Sequence, residues 1–189
     1  MKKTFVRLFY CLIPVRKWRH RFRLWALTPH IRTDKLFESQ YDERGYFMAY
    51  DTCVRYAFAR EYLDNGKNPD GFWYKLYVKM QTKRGKISDH HPEHFMEVID
   101  SYVKNGYNGQ KIVLYGAGVI LADGSHRMAL NLLFGHKNIY YDQANAMCKH
   151  RNYGTEWFEN NGFTQEEISE IKKVKDEIFK RYKLKKRMD

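Results

Sequence analysis

Residues 120–142 read ILADGSHRMALNLLFGHKNIYYD, an apolar strand that runs into a polar knot, then a helix, then a second strand. The first strand is the second half of a hairpin, because KIVLY (111–115) and VILAD (119–123) both alternate with period two and flank Gly116-Ala117-Gly118. After Asp123 and Gly124 the period changes. Met128, Ala129, Leu132 and Leu133 recur at helical spacing from about residue 126 to residue 134, and Gly135 is a natural C-terminal stop. NIYY (138–141) then reads as a short strand. Hairpin, turn, helix and strand in this order predict an α/β (α+β) domain with a small mixed sheet.

The knot sits where strand passes into helix. The first-turn N–H groups of a helix point outward and carry the positive end of its dipole, which is a ready place for an anion, phosphate above all. Gly124 permits the sharp turn, Arg127 offers a bidentate fork to phosphate, and Ser125 or His126 adds a donor. Asp123 is the odd member, since a carboxylate repels a phosphate. It has a role there as a base accepting a hydroxyl proton, or as a metal ligand facing the phosphate. The same spacing equally allows Asp123 to be a plain helix cap, with His126 and Arg127 solvated or locally paired.

Working outward, residues 45–64 predict a helix that ends at Asn65-Gly66 and turns Tyr46, Tyr50, Val54, Ala57, Phe58 and Tyr62 toward the core. FWYKLYVKMQ (72–81) alternates well enough to predict a strand. TKRGKISDHH follows as a polar connection, in the first instance an ordinary solvated one; only if it approaches the 123–127 turn are Lys83 and Arg84 candidate phosphate contacts and Asp89, His90 and His91 candidate acids, bases or ligands. Adjacent His90 and His91 do not both face one metal easily, and no HxH or HxxxH spacing supports zinc, so no metal site is expected. Pro92 opens a helix to about residue 104 with Phe95, Val98, Ile99 and Tyr102 inward. The last helix starts at a capping box, Thr164 to Glu167, and carries an apolar stripe of Ile168, Ile171, Val174, Ile178 and Tyr182.

The chain has 189 residues and a formal charge of +12. That charge is concentrated at the ends: residues 1–33 carry +9, residues 172–189 carry +6, and the middle carries −3. A basic stripe over a folded face is the usual footprint for nucleic acid, whereas basic ends on an acidic body fit an anionic membrane surface. The N-terminus interleaves Phe5, Leu8, Phe9, Leu12 and Ile13 with cations and continues through Pro14 to Arg16, Lys17, Trp18, Arg19, Arg21 and Arg23. With about ten apolar residues interrupted by Arg7, it falls short of the roughly 20 a membrane span needs, and it makes a poor signal peptide. An interfacial helix is the leading expectation, and an N-terminal helix docked on the body with snorkelling arginines is the alternative. Three scattered cysteines, Cys11, Cys53 and Cys148, form no CxxC pair and fit a reducing compartment. Residues 1–33 are thus expected as a basic membrane-surface segment, 34–163 as the α/β domain and 164–189 as a C-terminal helix, together placing the protein in the cytoplasm at the inner membrane face.

Two resemblances add to this reading. Asp123-Gly124-Ser125-His126-Arg127-Met128-Ala129, with Gly135 at the helix end and the preceding PEHFMEVIDSYVKNGYN and KIVLYGAGVILAD, resembles the ParB/sulfiredoxin-like fold over roughly residues 72–142. The acid-led motif is similar to that of the kinase-like members. Ser125 stands where sulfiredoxins carry their reactive cysteine, and the G-E-R-R form and helix-turn-helix of partition proteins are not evident. The resemblance implies phosphate chemistry, with Asp123 and His126 as catalytic candidates, Gly124, Ser125, His126 and Arg127 as the cradle for ATP or another nucleotide, and Mg²⁺ as its ion. The opening Leu8, Cys11, Leu12, Ile13, Pro14, Arg16, Lys17, Trp18 and Arg19 resembles bacterial lipopolysaccharide and capsule assembly proteins, including glycosyltransferases, which implies a sugar or glycolipid substrate. The leading expectation is a nucleotide-dependent phosphotransferase in surface-polysaccharide assembly. A noncatalytic nucleotide- or phosphosugar-binding module that docks polysaccharide enzymes at the membrane is the alternative. A ParB-like nucleic-acid binder or nuclease is a third reading that the acidic middle disfavours.

Overall fold

The computed structural model describes residues 28–40, 49–85, 92–115, 120–144 and 153–184. The N-terminal segment 1–27, on which the interfacial helix was expected, lies outside the described residues, as do Asp89, His90 and His91. Among the described residues the elements run β1 (His30–Arg32), α1 (Thr33–Ser39), α2 (Ala49–Asp64), α3 (Phe72–Lys83), α4 (Pro92–Asn105), β2 (Ile112–Tyr115), β3 (Ile120–Asp123), α5 (Ser125–Leu133), β4 (Asn138–Ala144), α6 (Thr155–Asn160) and α7 (Gln165–Tyr182). The sheet order is β1-β4-β2-β3. β4 pairs antiparallel with β1 and parallel with β2, and β2 pairs antiparallel with β3, so the sheet is mixed and the fold is α+β.

The helices pack around α2. Its residues 51–59 are buried without a break, because α3, α5 and α7 cover it from several sides. A helix enclosed in this way needs no polar face. Tyr50, Val54, Ala57, Phe58 and Tyr62 lie in the core as the apolar stripe predicts. α7 buries Ile168, Ile171, Val174, Ile178 and Phe179, and its N-terminus is closed by the Thr164 capping box. The buried cluster extends from Leu36 to Phe179, so the C-terminal helix shares the core of the preceding elements. None of the described helices is long and apolar enough to cross a membrane.

Residues 72–83 are a helix, not the strand that alternation predicts. Their buried positions, Leu76, Tyr77, Met80 and Gln81, follow the helical period. The aromatic residues that favour strand geometry are outweighed by packing on α2 and by a cap that comes from far along the chain. The Glu61 carboxylate accepts hydrogen bonds from the backbone N–H groups of Trp73 (3.1 Å) and Tyr74 (3.0 Å), which lie ahead of the helical ladder. Gly71 leaves room for that carboxylate, since a Cβ there would sit 2.1 Å from Glu61 Cδ. The 111–115 and 119–123 hairpin strands, the 92–104 helix and the short strand after Gly135 all form near their predicted places. β1 is an addition to them.

Candidate functional site

The turn at residues 123–127 is built by three local features. β3 pairs with β2 through a bulge: Val113 faces Asp123, while the next residue, Leu114, faces Leu121. The register thus skips Ala122, and the strand bends just before Asp123. Gly124 then takes φ +98, ψ 22, and its Cα packs so closely on Ile112 that a Cβ would lie 2.4 Å from Cγ2. The first bond of the α5 ladder is Met128 N–H to the Gly124 carbonyl, 2.9 Å, so Ser125, His126 and Arg127 form the helix's opening turn.

Five of the predicted site residues therefore gather on one turn. Asp123 is exposed, its side chain retaining 64% of its accessible area, and Ser125, His126 and Arg127 are half-buried. Arg127 Nη1 lies 4.0 Å from Asp123 Oδ2 and donates to the Lys111 carbonyl. The N-cap position belongs to Gly124, and among the described residues the Asp123 carboxylate has Arg127 as its charged neighbour and bonds no helix N–H. Asp123 thus projects from the turn and does not cap the helix.

His126 points the other way, into the core. Its ring stacks on Phe95, centroids 4.2 Å apart and planes 18° from parallel, an arrangement worth about 0.5–1.5 kcal/mol beyond its buried area. Its Nε2 lies 2.8 Å from the Tyr77 hydroxyl. Tyr77 accepts from Gln81 Nε2 (3.2 Å), and Gln81 Oε1 accepts from Arg55 Nη2 (3.3 Å). Arg55 Nη1 binds Asp51 Oδ2 at 2.8 Å. A buried polar chain thus leads from the turn through α3 to α2. Burial raises the Tyr77 hydroxyl's pKa, which keeps it protonated, and burial lowers that of Arg55.

Arg84 belongs to this chain. Its Nη1 lies 2.9 Å from the same Asp51 oxygen, and its guanidinium stacks over the Tyr153 ring at 4.3 Å. It reaches the turn through Asp51, Arg55, Gln81 and Tyr77. Lys83 is exposed at the last residue of α3. Tyr77, Gln81, Arg55 and Asp51 are neighbours of the site that the sequence reading did not single out, and Phe95, read there only as an inward position, is another. Their signal was present as Asp51–Arg55 at i, i+4 and Tyr77–Gln81–Arg84 at i, i+4, i+7, a stripe that exists only when 72–83 is a helix.

Among the described residues no group of three or more His, Cys, Asp and Glu is placed to hold a metal. The turn itself offers one carboxylate, which fits an ion carried in by a nucleotide's phosphates better than a resident metal. Comparison with family models, curated proteins and solved structures finds no match to this chain, so the site is read from its own geometry.

Proposed function

We propose that the protein is a phosphotransferase that moves a phosphoryl group from a nucleotide to a hydroxyl of a sugar or similar metabolite, at the turn formed by residues 123–127. The observation that carries this reading is an exposed carboxylate and a half-buried guanidinium held 4.0 Å apart across a left-handed glycine at a helix N-terminus. One side of that arrangement suits a phosphate and the other suits a proton. Arg127, the Ser125 hydroxyl and the α5 dipole stabilise the charge on the transferring group. Asp123 accepts the acceptor's hydroxyl proton as its oxygen bonds to phosphorus and the bond to the departing nucleoside diphosphate breaks. Mg²⁺ bound with the nucleotide would supply further charge neutralisation of its phosphates.

The basic ends of the chain and its N-terminal pattern support work at the inner face of a bacterial membrane, on a sugar or glycolipid of surface-polysaccharide assembly, alongside glycosyltransferases. Removing residues 1–25 is expected to abolish binding to anionic liposomes, and continued binding would overturn the membrane assignment. For the reaction, Asp123→Asn is expected to lower phosphoryl transfer by about 10²–10⁴-fold while nucleotide binding, followed by calorimetry, stays within a few-fold. Nucleotide binding without transfer to any acceptor by the wild type would replace the kinase with the noncatalytic module. Absence of nucleotide and phosphosugar binding altogether would remove both.

A further inference from the structure

The chain that ends on His126 has a direction, and the direction fixes where the imidazole proton sits. Arginine donates and never accepts, so Arg55 Nη2, 3.3 Å from Gln81, must face the amide oxygen. The other end of the same amide is then an NH₂, and it donates to the Tyr77 oxygen at 3.2 Å. Tyr77 is fully buried and has one proton to give. Among the described residues its remaining hydrogen-bond partner is His126 Nε2, 2.8 Å away. A Tyr77 that accepted from both Gln81 and an Nε2–H would leave a buried hydroxyl proton with no acceptor among the described residues, at the full desolvation penalty of that group.

We propose that Arg55, Gln81 and Tyr77 form a one-way hydrogen-bond chain that holds His126 as the neutral tautomer protonated on Nδ1. Nε2 is then the acceptor of the Tyr77 proton and is closed to substrate chemistry. Nδ1–H is then the ring's one donor, and proton acceptance at the turn falls to Asp123. Tyr77, Gln81 and Arg55 are positioning residues, and Asp51 anchors the chain by pairing with Arg55 at 2.8 Å. The stack on Phe95 at 4.2 Å keeps the ring plane from turning away from Tyr77. The role given to Asp123 rests on the phosphate reading above, whereas the tautomer does not.

The test uses the full chain, without ligand, labelled with ¹⁵N-histidine, at about pH 8.5 where an ordinary imidazole is neutral. His126→Gln identifies the His126 signals by their loss. The wild type is expected to show one tautomer, with Nδ1 protonated and Nε2 bare; an Nε2–H signature there overturns the proposal. Gln81→Glu supplies an oxygen to Tyr77 while still pairing with Arg55. The Tyr77 proton should turn to the new carboxylate, so that Tyr77 accepts from His126 and the tautomer flips to Nε2–H with His126 and Tyr77 untouched. A folded Gln81→Glu variant that keeps Nδ1–H overturns the chain's direction. Tyr77→Phe retains the ring and removes the relay; the single Nδ1–H form is expected to give way to a mixture, and its persistence shows that another contact sets the tautomer. A positive result here with no phosphate binding would sink the phosphate reading and leave the tautomer standing.

Discussion

Gly124→Ala is the substitution whose cost follows most directly from the structure. Two terms add. At φ +98 any residue with a Cβ is strained, by about 1–2 kcal/mol on the scale for left-handed conformations. The new methyl also meets Ile112 at 2.4 Å from Cγ2, 2.8 Å from Cβ and 3.2 Å from Cα. The last two atoms do not move with a rotamer change, so β2 and the turn must separate, at about 1–3 kcal/mol for overpacking. The sum, about 2–5 kcal/mol, is a large share of the roughly 5–15 kcal/mol that holds an ordinary domain together. Urea unfolding reads it directly: with a slope of about 2 kcal/mol per molar, the midpoint falls by about 1–2.5 M. Combining it with Ile112→Ala relieves the closest contact only, because that change removes Cγ2 but leaves Ile112 Cβ and Cα and the backbone strain in place. The pair should still cost measurably less than the sum of the single substitutions, by about 0.5–1 kcal/mol. A Gly124→Ala variant within about 0.5 kcal/mol of wild type, or strict additivity with Ile112→Ala, would refute the account of the turn.

Asp51→Ala removes the carboxylate that two buried guanidiniums share, and should cost about 3–5 kcal/mol by urea unfolding; a loss below about 1 kcal/mol would mean that the arginines are held by something else. At high pH, burial holds Tyr107 protonated, its pKa pushed up to about 12 from 10.0. The unfolded chain therefore loses that proton first, so the Tyr107 contribution is complete below about pH 10 and is lost as pH rises toward about 12. Tyr107→Phe should flatten that alkaline fall in unfolding free energy, and an unchanged slope would exclude Tyr107 as its source. Glu61→Ala takes away the cap on α3 and should destabilise by about 1 kcal/mol, whereas a strand at 72–81 would be indifferent to it.

The elements around residues 111–144 were legible because their signals are local. Period-two runs on either side of Gly116-Ala117-Gly118 specify a hairpin, and a glycine between Asp123 and a 3.6-period run specifies where helix begins. Thr164 and Glu167 announce α7 for the same reason, since both halves of the capping box lie within one turn. The failure at 72–83 has the opposite cause. Its aromatic and β-branched residues favour a strand taken alone, and the Glu61 cap that favours helix lies in another element. That one misreading hid half of the site. With 72–81 as a strand, Arg84 falls in the connection beyond it, away from Tyr77 and Gln81; on the helix the three share one face, and Arg55 and Asp51 complete it. Arg84 shows a related limit: an arginine at the start of a polar connection reads as a candidate phosphate contact, and its pairing with a buried carboxylate from α2 is visible only in the fold. The exposure of Asp123 was not legible either, since neither its 64% accessible side chain nor the register shift just before it has a sequence signal.

The central claim is that phosphate sits on the α5 N-terminus, and backbone amide shifts test it most directly. Titrating the ¹⁵N-labelled chain with ATP and Mg²⁺ should move the Ser125 and Arg127 amide signals among the largest of any residue, with Arg127→Gln weakening the response at least several-fold. Saturable shifts that map elsewhere and leave those two amides still would contradict it.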